Sequence, residues 1–193
     1  MKKPYLFILL FLMISTSLSA QSVLTKENWD EIIKPLEAEQ WQDAQTLTRQ
    51  YLGKIDKDED AAAILRYMNI YSTAGLLNDG KLTKKQALAL IAPFKGQSII
   101  SSWFPIKNKY GLNTVQMVND KPDTLMITAT NRQGTNIFAF IYVKPETLYS
   151  LTEWTGFDGK NCRFGGTISF LDVEGEMLPR FRIRVDNAKL QIE

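Results

Sequence analysis

Three arginines alternate with apolar residues in the segment PRFRIRV near the end of the chain. In a β-strand, Arg180, Arg182 and Arg184 share one face, because successive side chains point to opposite faces. Alternate strand positions lie roughly 7 Å apart, and guanidinium groups at that spacing can bind phosphate, sulfate or carboxylate groups. The pattern predicts an anion-binding row, which Arg163 extends if its strand pairs with theirs. The alternative is a solvated face that nearby acids neutralise, namely Asp172, Glu174 or Glu176.

A second candidate for ligand binding is the segment WFPIKNKYG. Lys107, Lys109 and Tyr110 combine basic and aromatic groups in a predicted loop, and loops often carry binding residues. Trp103 opens the same segment, and we expect its side chain to pack in the core. The segment therefore predicts a small basic and aromatic surface.

The chain contains no histidine and a single cysteine, Cys162, which limits its catalytic chemistry. Without histidine, neither a nucleophile–histidine triad nor a zinc site built from histidine and cysteine can form. Cys162 alternates with Phe164, Gly166, Ile168 and Phe170, so a period of two places it on the apolar face of a strand. We predict a buried, unreactive thiol whose pKa is raised by burial; the alternative is a reactive thiol.

Two acidic segments resemble calcium-binding loops but lack essential residues. DKDED places Asp56, Asp58 and Asp60 at alternate positions, yet the glycine and the last glutamate of such a loop are missing. NDGKLTKKQ has too few carboxylates, so we expect no metal and no cofactor. An enzyme would have to use a pair of carboxylates, as glycosidases do. The available acids are Glu146, Glu153, Asp158, Asp172 and Glu174.

Residues 1–20, MKKPYLFILLFLMISTSLSA, have the layout of a secretory signal peptide. Their apolar run is shorter than the roughly 20 residues of a membrane span. We predict cleavage after Ala20, a periplasmic or extracellular location and no stable membrane span afterwards; the alternative is an uncleaved anchor. Loss of Lys2 and Lys3 leaves equal numbers of basic and acidic side chains, which argues against a nucleic-acid partner.

Residues 21–94 have the apolar spacing of helices. Thr25 can cap the first helix, which Pro35 should kink or end, and Thr83 with Gln86 can form a capping box for the last. Between them, AAAILRYMNIYSTAGLL is apolar on most sides and predicts a central buried helix. The second helix carries the apolar stripe Trp41, Ala44, Leu47 and Tyr51, and an alanine-rich helix follows it. This spacing resembles one tetratricopeptide-type hairpin, but the sequence shows no second copy, so we expect an isolated helical hairpin. The alternative is a scaffold for protein partners.

Residues 95–193 change to a period of two, which indicates β-strands. In the strand predicted over 136–143 both faces are apolar, so both should be covered, and the helices are the obvious cover. This favours one compact body. The other predicted strands span 97–104, 112–118, 124–130, 161–171 and 180–190, with a short helix in PETLYSLTEW.

The order of these elements resembles an OB-fold barrel over about residues 95–190. FKGQSII resembles the start of its first strand, residues 124–143 its second and third strands, and PETLYSLTEW its helix. DGKNCRFGGTISFLD and LPRFRIRVDNAKL resemble its fourth and fifth strands. The expected fold is therefore α+β, with a layer of three to four helices followed by an OB-like antiparallel barrel packed on them. The alternative is an α+β cone with a curved antiparallel sheet.

Together these patterns predict an exported, non-catalytic binding or structural protein of the cell envelope. Its partner would be another protein or an anionic envelope component, such as an anionic glycan or a phosphate-bearing molecule. Two alternatives remain open at this point, a small carboxylate-dependent hydrolase or carbohydrate-active enzyme and a helical scaffold.

Overall fold

A computed structural model describes residues 24–57, 60–109, 111–118 and 121–193, without the side chains of 121–122 and 138–142. The predicted signal peptide lies outside the described residues. Four helices come first in the described chain, followed by a short 3₁₀ turn over Ala92–Phe94. The helices are α1 (Lys26–Glu37), α2 (Trp41–Leu52), α3 (Asp60–Asn78) and α4 (Lys84–Ile91).

The helix ends follow the capping residues of the sequence. Thr25 and Asn28 form a capping box at the start of α1, and Thr83 and Gln86 form the predicted one at the start of α4. Pro35 lies within α1, which ends two residues later, and α2 restarts at Trp41. Helices α1 and α4 therefore begin at the predicted caps, and α1 ends close to Pro35.

Helix α3 is the central helix, with side chains buried around most of its circumference. It packs against α2, α4 and the first strand of the sheet. Its buried positions include Arg66, whose Nη1 donates to the backbone oxygen of Ser98 at 2.8 Å and to its Oγ at 3.0 Å. A second guanidinium nitrogen donates to the backbone oxygen of Lys57. The sheet is thus tied to the helices by a buried guanidinium as well as by apolar packing.

Seven strands form one curled, half-barrel sheet in the described chain. Its order is β1-β6-β7-β5-β4-β3, and β2 also pairs with β6. An isolated bridge between Ile106 and Val115 joins the region after β2 to β3. The strands are β1 (Ser98–Ile100), β2 (Phe104–Pro105), β3 (Val115–Val118), β4 (Lys121–Thr130), β5 (Asn136–Pro145), β6 (Asn161–Glu174) and β7 (Arg180–Ile192).

The predicted α+β class, with helices preceding a curved antiparallel-rich sheet, is confirmed. One pair departs from an all-antiparallel sheet, because β5 and β7 run parallel. The strand predicted over 97–104 is divided into β1 and β2. Pro145 ends β5 instead of starting a helix; the short helix α5 (Leu151–Thr155) begins after Ser150, whose side chain forms a capping box with Glu153.

A β-bulge in β6 changes which side chains face the core. Cys162, Phe164 and Ile168 are buried as the period of two predicts. Between Ile168 and Phe170 the register with β7 shifts by one residue, so Ser169 is the extra residue. Beyond it the faces exchange: Phe170 is 42% exposed, and Leu171 packs against the core. The prediction that Phe170 shares the buried face with Cys162 is therefore wrong.

None of the helices in the described ranges is both long and apolar enough to cross a membrane.

Candidate functional site

The predicted arginine row lies on the outward face of β7, but acids accompany it. Arg180 Nη2 lies 2.9 Å from Glu174 Oε1, and Arg182 Nη1 lies 3.9 Å from the other oxygen of the same carboxylate. The Nε atom of Arg184 donates to Asp186 Oδ1 at 2.9 Å. Each of these arginines therefore has a carboxylate partner within 4 Å. This arrangement agrees with the alternative stated above, in which nearby acids neutralise the row.

The bulge at Ser169 produces this arrangement. After the register shift, Asp172 stands opposite Arg182 and Glu174 stands opposite Arg180. Without the extra residue these acids would point to the other side of the sheet. The charges of the two strands therefore largely cancel on this face.

Arg163 does not extend the row, contrary to the simplest form of the hypothesis. Strand β6 does pair with β7, but the antiparallel register places Arg163 opposite Gln191, at the far end from Arg182. Its Nε donates to Gln191 Oε1 at 3.1 Å. Among the residues that the structure describes, Arg163 forms no ion pair. It is thus a cation without a carboxylate partner in that set.

Trp103 lies beside Arg163 on the outer face of the sheet. The guanidinium carbon of Arg163 lies 5.4 Å from the centroid of the Trp103 ring, a cation–π contact. The indole is 40% exposed, so the expectation that Trp103 packs in the core is wrong. The pairing of Phe104 with Cys162 explains the contact, because it aligns the residues next to each in the two strands.

Lys107 and Lys109 are exposed in the loop that follows β2, and Tyr110 lies outside the described residues. The backbone of this loop is anchored at two points. Lys107 N donates to the backbone oxygen of Val115 at 2.9 Å, and Asn108 N donates to Asp158 Oδ1 at 3.0 Å.

Three neighbouring depressions follow α3 from its first residue towards its last turns. The first has a volume of about 570 Å³ and is lined by Asp60 and Ala63 of the helix. The second, of about 450 Å³, is lined by Tyr67 and Tyr71. The third shares Tyr71 with the second and reaches the loop between β4 and β5. Arg163 lines both the first and the second, so it stands where they meet.

We call this surface the α3 groove. It comprises the three depressions that α3 lines together with residues of the sheet and its loops. From Asp60 to Tyr71 the helix advances about 16 Å at roughly 1.5 Å per residue. The groove is therefore long enough for several units of a chain-like ligand.

The middle of the groove is the most aromatic part. Tyr67 and Tyr71 stack with ring centroids 6.4 Å apart and planes 4° from parallel. The hydroxyl of Tyr67 lies 2.9 Å from Ser102 Oγ, and that of Tyr71 donates to the backbone oxygen of Thr130 at 3.0 Å. Burial raises the pKa of both phenols, so both are neutral at physiological pH.

The far end of the groove is closed by a contact between the two layers. The backbone nitrogen of Arg132, in the loop after β4, donates to Glu39 Oε1 at 2.5 Å. Its guanidinium also donates to the backbone oxygen of Glu37. This contact fixes the β4–β5 loop against the turn between α1 and α2, so the groove has a defined end.

The acids considered for a catalytic pair are mostly engaged elsewhere. Glu153 caps α5 and its pKa is lowered by hydrogen bonds from Ser150; Asp158 accepts from the loop after β2. Glu174 is held by arginines. Within the described residues, no group of three or more cysteine or acidic side chains is placed to hold a metal ion.

The residues that sequence reasoning missed are Trp103 and the tyrosines of α3. Their apolar spacing in the sequence indicated only core packing.

The chain matches no protein-family model, no curated protein and no solved structure. No relative therefore transfers a function to the α3 groove.

Proposed function

We propose that this chain is an exported, non-catalytic binding protein of the cell envelope that holds an anionic glycan in the α3 groove. The observation that carries the proposal is that Arg163 is held in place by neighbours but has no carboxylate partner among the described residues. It rests on Trp103, is hydrogen-bonded to Gln191 and has no ion pair among the described residues, whereas the arginines of β7 have acid partners. An oriented cation beside an open groove can bind an acidic group of a ligand.

The other side chains of the groove suit a sugar more than a simple anion. Trp103, which is 40% exposed, and the partly exposed Tyr71 provide flat apolar surfaces, against which the C–H faces of sugar rings can pack. Asn113, Asn187 and Gln191 provide amide donors and acceptors for hydroxyl groups. Binding sites of this kind combine apolar walls with a few polar groups that orient the ligand.

The resemblance to an OB-fold barrel is part of the proposal. Such domains are partly open five-stranded barrels, and some bind oligosaccharides. Three features support the assignment: the antiparallel hairpin of β4 with β5, the helix α5 before β6, and the hairpin of β6 with β7. The first strand is divided into β1 and β2, and α3 packs against β1.

Titration of the purified protein with hyaluronan oligosaccharides, which carry regularly spaced carboxylates, tests the binding role. We expect saturable binding that weakens as salt is raised, because exposed charges are screened beyond about 8 Å at physiological ionic strength. Arg163→Gln should weaken it by at least about tenfold, as expected for loss of a charge-assisted contact. Arg49→Gln, on an exposed face of α2, is the matched control and should have no effect.

The outcome that contradicts the proposal is an affinity that Arg163→Gln leaves unchanged, or no binding at low salt by the wild-type protein. Turnover of the oligosaccharide would instead favour the hydrolase alternative. Export is tested separately: sequencing of the protein from its native host should find a new N-terminus at or near residue 21, and an intact Met1 in the cytoplasm would contradict it.

A further inference from the structure

Two cross-strand pairs of the β6–β7 hairpin are built alike but differ in charge. Near the turn, Arg180 stands opposite Glu174, and its Nε donates to Glu174 Oε1 at 2.9 Å. Towards the other end of the hairpin, Arg163 stands opposite Gln191, and its Nε donates to Gln191 Oε1 at 3.1 Å. The acceptor of Arg180 is a carboxylate that neutralises it, whereas the acceptor of Arg163 is a neutral amide that leaves its positive charge in place.

The guanidinium of Arg163 is held by two contacts. Gln191 accepts from its Nε, and its central carbon lies 5.4 Å from the centroid of the Trp103 ring. A free arginine side chain has many rotamers, and holding it in one of them before a ligand arrives lowers the entropy that binding must remove. The two neighbours therefore preorganise the cation without cancelling its charge.

The hydrogen bond to Gln191 also determines which edge of the guanidinium is left for a ligand. An acidic group can pair with a guanidinium along the edge that includes Nε or across the edge formed by Nη1 and Nη2. In Arg163 the Nε position is occupied by Gln191. Nη1 and Nη2 donate to no acceptor within the described part of the chain, and they are not buried. This second edge is open where the first two depressions meet.

We infer that Gln191 is a positioning residue of the α3 groove. It holds Arg163 through Nε, so that Nη1 and Nη2 bind one acidic group of the ligand, such as a carboxylate, through two parallel hydrogen bonds. The inference rests on the proposed function and adds how the groove holds the acidic group. Glutamine suits this position because an acid would convert the pair into the neutralised type of Arg180 and Glu174.

Calorimetric titration with two probes tests the inference: a hyaluronan oligosaccharide, and the same oligosaccharide with its carboxylates converted to neutral primary amides. Wild type should bind the acidic probe at least about tenfold more tightly, as expected for a charge-assisted contact. Gln191→Glu should reduce this preference to less than about twofold, because the new carboxylate neutralises Arg163. The affinity for the amide probe should stay unchanged, which a general loss of structure would not allow.

Gln191→Met removes the acceptor without adding a charge. It should reduce the preference for the acidic probe by about threefold, because the ligand must then order a free arginine side chain. Gln50→Glu is the matched control for the added charge. Gln50 is exposed on α2 and lines none of the three depressions, so this variant should keep the wild-type preference.

The outcomes separate this inference from the proposed function. A preference that Gln191→Glu and Gln191→Met leave at the wild-type value, while Arg163→Gln removes it, would overturn the role of Gln191 and leave the proposed function standing. Equal affinity of wild type for the two probes, or no binding of either at low salt, would overturn both.

Discussion

The indole of Trp41 in α2 lies directly over Gly75 in α3. A methyl group added to Gly75 would come within 2.2 Å of Cδ2 of the Trp41 ring, and two other ring atoms would be closer than 3 Å. The two helices therefore approach each other at a position where only hydrogen fits. We expect Gly75→Ala to lower the free energy of unfolding by about 2 kcal/mol, since overpacking outweighs the helix propensity of alanine. Urea denaturation measures this change.

Gly53, the C-cap of α2, is the matched control. A methyl group there would lie 3.5 Å from the nearest atom, which is an ordinary contact, and its backbone is already in the right-handed helical region. Gly53→Ala should therefore change the free energy of unfolding by less than about 1 kcal/mol. Equal effects of the two substitutions would show that Trp41 can move aside without cost.

Arg66 offers a second stability prediction. Its guanidinium is 1% exposed and donates to the backbone oxygens of Ser98 and Lys57. Arg66→Met fills the space but leaves these carbonyls without their donor, so we expect a loss of about 2–4 kcal/mol in the free energy of unfolding. Arg49→Met, at an exposed position of α2, should cost less than about 0.5 kcal/mol. A small effect of Arg66→Met would mean that water replaces the guanidinium.

The buried thiol gives a prediction about pH. Burial raises the pKa of Cys162 from about 9 to about 12, and the side chain has no solvent exposure. Above about pH 9 the unfolded chain loses this proton while the folded protein keeps it, so the stability from the buried thiol falls by roughly 1.4 kcal/mol per pH unit. Cys162→Ala should cost on the order of 1 kcal/mol near neutral pH through lost packing. It should also flatten the decline between about pH 9 and about pH 12.

Thiol labelling checks the same assignment. Native Cys162 should react with a thiol reagent at a rate limited by opening of the structure, and the unfolded chain should react rapidly. In the pH measurement, the comparison of wild type with Cys162→Ala also controls for the phenols of Tyr67 and Tyr71. Their pKa values are raised by burial as well, and both tyrosines remain in the two proteins. Rapid labelling of the native protein would place the thiol at the surface.

Local patterns in the sequence predicted much of this fold. The caps at Thr25 and Thr83 and the buried stripe of α3 depend on neighbours within a few residues. Phe170 was misassigned because a bulge reverses the alternation of faces and Ser169 carries no signal for one. A period of two holds only as far as the register is unbroken.

The candidate site was harder to predict from the sequence, because it depends on which strands pair. Trp103 and Arg163 are 60 positions apart, and they meet only because β2 pairs with β6. Composition marked Trp103 as a core residue, and no local feature shows that its neighbour across the strands is a cation. The acid partners of the β7 arginines were foreseen as an alternative, but choosing it required the register of β6 against β7.

The last prediction separates the two places where an anion could bind. Replacing Arg180, Arg182 and Arg184 together by glutamine removes the ion pairs to Glu174 and Asp186. These side chains are about 41–42% exposed, and exposed ion pairs contribute only about 0–1 kcal/mol each, so the triple variant should stay folded with a small loss of stability. Because the row is already neutralised, the triple variant should bind hyaluronan oligosaccharides within about twofold of wild type, whereas Arg163→Gln alone should weaken binding by at least about tenfold. Calorimetric titration of both variants at low salt distinguishes the sites. If the triple variant loses binding and Arg163→Gln retains it, the ligand exchanges places with Glu174 and Asp186 on β7, and the α3 groove is not the site.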